Sequence, residues 1–227
     1  MRIDAVIFDF DATLVDSEPN YYEADRLLMA EYGVEFTFEM KKEFIGRGNT
    51  AMMEELNRRY NLPVTVAEMA RRKNQLYLEI ALKDTKVYPQ MLEFVKMLVQ
   101  EGIPIALASG TATSILNQLV NHLDLQKYFD AVVSSDEVGK SKPEPDIFLT
   151  AAKKIHTQPE NCLVVEDAAF GIESGLRAGM QIMAVPYITQ PPLADVFFKS
   201  DILFEQGQAE FTAKKAMDWV YTRYLQE

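Results

Sequence analysis

Two aspartates, Asp9 and Asp11, sit one residue apart at the end of an apolar run from Ala5 to Phe10. Asp9 lies inside that run, where an unpaired carboxylate is costly to bury. Other chemically able residues end or follow similar runs: Ser109-Gly110, Lys142-Pro143 and Glu166-Asp167. Taken singly, each has an ordinary alternative. Asp167 reads equally as a turn former, Ser109 as a helix cap and Lys142 as a solvated loop lysine. Taken together, they would give one crevice several carboxylates, a hydroxyl and an amine. Crowded carboxylates raise one another's pKa values. A hard divalent cation relieves the repulsion, and an oxygen-rich, partly hydrated site suits magnesium. Lys142 can neutralise a further charge. Neither His122 nor His156 falls at the end of such a run, and Cys162 is the single cysteine, so no zinc-type ligand set is visible.

The elements that must position these groups follow from the apolar pattern. Ala5 to Phe10, Pro104 to Ala108, Ala131 to Val133, Cys162 to Val165 and Gln181 to Val185 read as buried parallel strands. Helical spacing appears between them: Met91, Leu92, Phe94, Val95 and Leu98 before Gly102, then Ile115, Leu116, Leu119, Val120 and Leu123. Further helices fit Asp146 to Ile155 and Phe170 to Ala178, the last ending at Gly179. Alternating strands and helices predict an α/β fold, a mainly parallel, Rossmann-like sheet with helices on both faces. In such sheets ligands bind beyond the carboxyl ends of the strands, where the polar residues fall.

From about Glu18 to Lys86 the pattern is helical throughout. Leu27, Leu28 and Tyr32 suggest one helix; Met52, Met53, Leu56 and Tyr60 a second; Leu76, Tyr77, Ile80 and Ala81 a third. The division expected is an α/β core of residues 1–16 and 87–227 with an inserted α-helical cap of residues 17–86. Arg71, Arg72 and Lys73 read as a solvated helix face, and Thr189-Gln190-Pro191-Pro192 as a surface loop.

Composition limits the partners. With 34 acidic against 23 basic residues the formal charge is -11, which disfavours nonspecific contact with nucleic acid or an anionic membrane. One cysteine forms no internal disulfide, and no stretch of about eighteen apolar residues predicts a membrane span. The start lacks the apolar segment of a signal peptide, so a cytoplasmic monomer is expected.

The residues resemble the haloacid dehalogenase (HAD) superfamily. Asp9-Phe10-Asp11-Ala12-Thr13-Leu14 looks like its first motif and Leu107-Ala108-Ser109-Gly110 its second. Lys142-Pro143-Glu144-Pro145-Asp146 resembles the third, and Val165-Glu166-Asp167-Ala168 the fourth. The helical insert is similar to the cap of the β-phosphoglucomutase-like branch. The resemblance implies that Asp9 attacks phosphorus and becomes an aspartyl phosphate. Asp11 would protonate the leaving oxygen and then deprotonate water. It further implies magnesium held by Asp9, the Asp11 carbonyl and Asp167, with Glu166 in the nearest or next layer. Ser109 and the Gly110 N–H would meet the phosphoryl oxygens, and Lys142 would contact Asp9 and the transferring group. Where the family usually has glycine this chain has Ala12, which predicts a modest backbone adjustment.

Substrate choice falls to the cap. Gly46-Arg47-Gly48-Asn49 resembles the family's specificity loop, which makes Arg47 and Asn49 candidate substrate contacts, although an ordinary interhelix turn reads the same. Asn20, Tyr21 and Tyr22 follow the first motif closely enough to line the entrance. The expectation is a magnesium-dependent phosphatase acting on a small phosphorylated metabolite such as a sugar phosphate. A β-phosphoglucomutase is the runner-up; it carries a histidine after its first motif, where this chain has Asn20-Tyr21-Tyr22. A catalytically silent binding protein of the same fold is the third reading. A haloacid dehalogenase would not need Asp11 as an acid, and a phosphonatase would need a cap lysine that nothing marks.

Overall fold

The computed structural model describes residues 2–44 and 49–224. The chain divides into two compact units, Met1–Asp16 with Val87–Glu227, and Ser17–Lys86.

The strands in chain order are β1 (Ala5–Phe8), β2 (Val15–Asp16), β3 (Lys86–Val87), β4 (Ile105–Ala108), β5 (Ala131–Val133), β6 (Cys162–Glu166), β7 (Gln181–Ala184) and β8 (Ile202–Leu203). Among the described residues, six form one sheet in the order β5-β4-β1-β6-β7-β8, and β2 and β3 form a separate pair. Every neighbouring pair given for the six-stranded sheet is parallel. All positions of β1, β4, β6 and β7 are buried, as continuous apolar strands covered on both faces must be.

Among the described residues, four helices lie in the second unit: α1 (Glu18–Ala30), α2 (Phe38–Lys42), α3 (Asn49–Tyr60) and α4 (Val66–Asp84). Thr65 opens α4 with a reciprocal cap, its side chain accepting from the Glu68 N–H while Glu68 accepts from the Thr65 N–H. Leu28, Met29, Met53, Leu56, Met69 and Tyr77 fill the interior of this unit. The Arg71-Arg72-Lys73 reading needs correction at Lys73, which is only 3% exposed. Its ammonium sits 2.5 Å from Asp25, a fully buried carboxylate that also takes Lys41 at 2.6 Å. Burial pulls the Lys73 ammonium below the ordinary lysine range, and Asp25 opposes that pull. Arg72 does lie on the surface, paired with Glu31.

Helices α5 (Pro89–Gln100), α6 (Thr113–His122), α7 (Asp146–Lys154), α8 (Ala169–Arg177) and α9 (Ala213–Tyr224) belong to the first unit. One face of the sheet packs Ile7, Ala106, Cys162, Val164 and Ile182 against Ile147, Phe148 and Ala151 of α7 and Ile172 of α8. On the other face Phe8 meets Phe94 of α5 edge-on at 5.7 Å, and Phe94 meets Phe211 at 6.0 Å. Gly179, at φ 75°, closes α8 as the sequence predicts.

The departures concern short or end segments. β1 stops at Phe8 rather than Phe10, because the chain turns over at Ala12; the Asp9 N–H still donates to the Val165 carbonyl. Lys86 begins a strand where helix is expected, and β2, β8 and the short α2 have no counterpart in the sequence reading. Two-residue strands are too short for any period to register.

Candidate active site

Register brings the chemistry together. Phe8 of β1 lies level with Leu107 of β4 on one side and Val165 of β6 on the other. One step further along, Asp9 therefore stands beside Glu166, and Ser109 and Asp167 follow at the same edge. The two neighbours of β1 are reached by chain excursions in opposite directions, so this edge is the topological switch point of the sheet.

Asp9 is 5% exposed and Glu166 2%. The Lys142 ammonium, carried by the loop before α7, donates to Asp9 Oδ1 at 2.5 Å and to Glu166 Oε2 at 2.8 Å. It also lies 4.8 Å from the Phe148 ring centre, which supports the cation from its apolar side. Burial pushes Asp9 up to about 8, Glu166 adds to the push, and Lys142 offsets part of it. Burial alone would lower Lys142, but Asp9 and then Glu166 outweigh it and hold the ammonium above the lysine range.

Asp11 accepts from two hydroxyls at one oxygen: Thr111 Oγ1 at 2.6 Å and Ser109 Oγ at 3.3 Å from Oδ2. Ser109 Oγ is itself fixed by the Thr111 N–H at 3.0 Å. Gly110 faces open space. Asp167 Oδ1 accepts from Thr13 Oγ1 at 2.9 Å. One oxygen from each of Asp9, Glu166 and Asp167 lies within 4.8 Å of the others. Three oxygen donors of this kind, with Asp9 pushed up by burial and by Glu166, fit a hard divalent cation.

Glu166 is seated by what α8 lacks. A Cβ at Gly171 would fall 2.0 Å from the Glu166 carboxyl carbon and 2.1 and 2.4 Å from its oxygens. The bare Cα therefore leaves the room in which the carboxylate reaches Lys142, its other oxygen accepting from the Ala168 N–H at 3.2 Å. Ala12 has φ 62°, in the left-handed region. For a residue with a Cβ this conformation costs roughly 1–2 kcal/mol, so the alanine departure from the family pattern is absorbed as backbone strain.

The structure thus gathers Asp9, Asp11, Ser109, Lys142, Glu166 and Asp167 at one sheet edge. Arg47 lies outside the described residues, as does the side chain of Asn49, although Asn49 opens α3. Asn20 is buried and donates to Thr85 Oγ1 at 2.7 Å, and Tyr21 stacks on Tyr77 at 3.9 Å. Thr111, Thr13 and Gly171 escape the sequence reading as contacts of the site. Thr111 alone carried a usable signal, a second hydroxyl two residues after Ser109.

Comparison with known proteins agrees with this geometry. Residues 6–185 match the family of haloacid dehalogenase-like hydrolases. A phosphorylated carbohydrates phosphatase of Thermotoga maritima is 33% identical over 183 residues, covering 79% of this chain and 83% of that protein. The fructose-1-phosphate phosphatase YqaB of Escherichia coli is 32% identical over 184 residues, covering 81% of this chain and 97% of that protein. A crystal structure of β-phosphoglucomutase from Clostridium difficile superposes with a TM-score of 0.76 at 22% identity, over 98% of this chain and 97% of that one, a likeness of fold. The four motif segments, the parallel sheet that aligns them and the match across most of its length establish that the chain belongs to the haloacid dehalogenase-like hydrolases.

Proposed function

We propose that the protein is a phosphatase that hydrolyses a small phosphate monoester, a sugar phosphate or related metabolite, through a phosphorylated Asp9. The observation that carries this reading is the buried contact of Lys142 with both Asp9 and Glu166, beside Asp11 and Asp167. The names of the similar phosphatases support the substrate class.

In the first step an Asp9 oxygen attacks phosphorus. The new Asp9–phosphorus bond replaces the bond to the leaving oxygen, and Asp11 gives that oxygen a proton. In the second step water attacks phosphorus, the bond to Asp9 breaks, and Asp11 takes the proton that the water loses. Thr111 and Ser109 donate to Oδ2 of Asp11 and so orient its carboxyl group. Lys142 offsets part of the push that burial gives Asp9 and faces the charge that gathers on the phosphoryl oxygens. Asp9, Glu166 and Asp167, with the Asp11 carbonyl, would hold magnesium. When bound, that ion supplies positive charge to the carboxylates and the phosphoryl group.

The test is release of phosphate from p-nitrophenyl phosphate with and without magnesium, followed by a panel of sugar phosphates. Magnesium-dependent release that vanishes in Asp9→Asn is expected. No release by the parent protein would sink the reading. Conversion of β-glucose 1-phosphate mainly to glucose 6-phosphate would replace it with the mutase.

A further inference from the structure

The turn that carries Asp11 is held from a segment outside the four motifs. Leu14 and Val15 both donate their N–H to the Phe10 carbonyl, at 3.0 and 3.1 Å, and Ala12 between them is left-handed. Thr13 is fully buried and ties the turn in two directions. Its hydroxyl donates to Asp167, and its carbonyl accepts from Gln208 Nε2 at 3.0 Å.

Gln208 is presented by a braced support. It sits in a short 3-10 turn, Gly207–Ala209. The Gly207 N–H donates to the Phe204 carbonyl at 2.7 Å, and the Gly207 carbonyl accepts from Phe211 N–H at 3.0 Å. Gly207 presses against the chain at Pro186, where a Cβ would stand 2.0 Å from the carbonyl oxygen. The Phe204 and Phe211 rings that flank the turn are buried 5.0 Å apart, and Phe211 continues through Phe94 to Phe8 of β1. The turn that carries Gln208 is thereby packed, through these rings, toward the same strand that delivers Asp9.

We propose that Gln208 is a positioning residue that holds the strained Phe10–Leu14 turn, and with it Asp11 and the Thr13–Asp167 contact, in the reactive arrangement. A turn with an intrinsic preference for its conformation would not need such a tie; a turn with alanine at a left-handed position does. Removing the donor leaves the buried Thr13 carbonyl unsatisfied and frees the turn to relax. The inference rests on the phosphatase reading for its rate measurement, and on backbone exchange independently of it.

Gln208→Leu and Gln208→Glu both lose the donation to a carbonyl, and Gln208 is half-buried rather than buried, so both variants are expected to fold. With p-nitrophenyl phosphate, kcat is expected to fall about tenfold with KM changed less than about twofold, since misplacing a reacting group costs rate rather than binding. Amide exchange at Leu14 and Val15 is expected to quicken about tenfold. Both effects are expected to shrink to less than about threefold when Ala12→Gly is introduced first, because glycine adopts the conformation unaided. Unchanged exchange at Leu14 and Val15, or equal effects in the two backgrounds, would overturn the proposal. An inactive parent protein would instead overturn the phosphatase reading, and the exchange measurements would still decide the role of Gln208.

Discussion

Gly171→Ala puts a methyl group where the Glu166 carboxylate lies. The added carbon would stand 2.0 Å from the carboxyl carbon, well inside the roughly 3.5 Å at which carbon atoms rest against one another. The helix and sheet are packed, so the side chain of Glu166 is the part able to move. Moving it breaks the contact with Lys142 at 2.8 Å and the bond from the Ala168 N–H at 3.2 Å, both buried. A hydrogen bond to a charged group contributes about 1.5–3 kcal/mol and an ordinary one about 1 kcal/mol. Alanine in place of glycine within a helix returns about 1 kcal/mol. The net expectation is a loss of about 1.5–3 kcal/mol, or a Tm lower by about 3–12 °C for a protein of this size. Lys142 also loses one of its two anchors, so kcat is expected to fall by about a hundredfold, near 2.7 kcal/mol. Thermal melts by circular dichroism and turnover of p-nitrophenyl phosphate read the two effects. Adding Glu166→Asp shortens the acid by one methylene and should restore part of the lost stability. If Gly171→Ala instead raises stability by about 1 kcal/mol and leaves kcat unchanged, the seat of Glu166 does not depend on the bare Cα and the reasoning fails.

Ala12→Gly removes the left-handed strain and is expected to raise unfolding stability by about 1 kcal/mol in urea titrations while kcat stays within about twofold; a destabilised variant would contradict it. Asp9 has a pKa raised from 3.8 to about 8 in the folded chain, so its contribution to stability is full below the unfolded value and is lost as pH rises through about 8. Magnesium binding at pH 7 should therefore be accompanied by proton release, measured by calorimetry in buffers of different ionisation enthalpy, and should raise Tm more at pH 8 than at pH 6; binding without proton release would refute the raised value. Asp25→Ala leaves Lys73 and Lys41 without their shared carboxylate, and a loss of about 3–5 kcal/mol is expected in the stability of the helical unit. Urea unfolding followed through the α1–α4 unit would detect it, and a change below about 1 kcal/mol would show that the pair is not buried in solution.

The parts of this protein legible in its sequence share one cause. β1, β4 and β6 are buried on both faces, so each reads as an apolar run, and the polar residues that end these runs are conspicuous. That is why Asp9, Ser109 and the Glu166-Asp167 pair stand out before any fold is known. What the sequence conceals is made by contacts between distant segments. Lys73 sits in a run of three cations that looks solvated, and the approach of Asp25 from another helix makes its burial tolerable. Gly171 looks like any helix glycine until the Glu166 side chain is placed beneath it. Gln208 belongs to a segment with no motif and no period, and its link to Thr13 spans most of the chain. Ala12 was visible as a departure from the family pattern, and its positive φ gives that departure a physical meaning.

The central claim is that phosphate passes through Asp9. Rapid quenching during turnover, reduction with borohydride and peptide mass analysis would convert a phosphorylated aspartate to homoserine at its own position. Homoserine at residue 9, absent without substrate and absent in Asp9→Asn, is the result expected. Sustained turnover with residue 9 unmodified, or with the label on another carboxylate, would contradict the account.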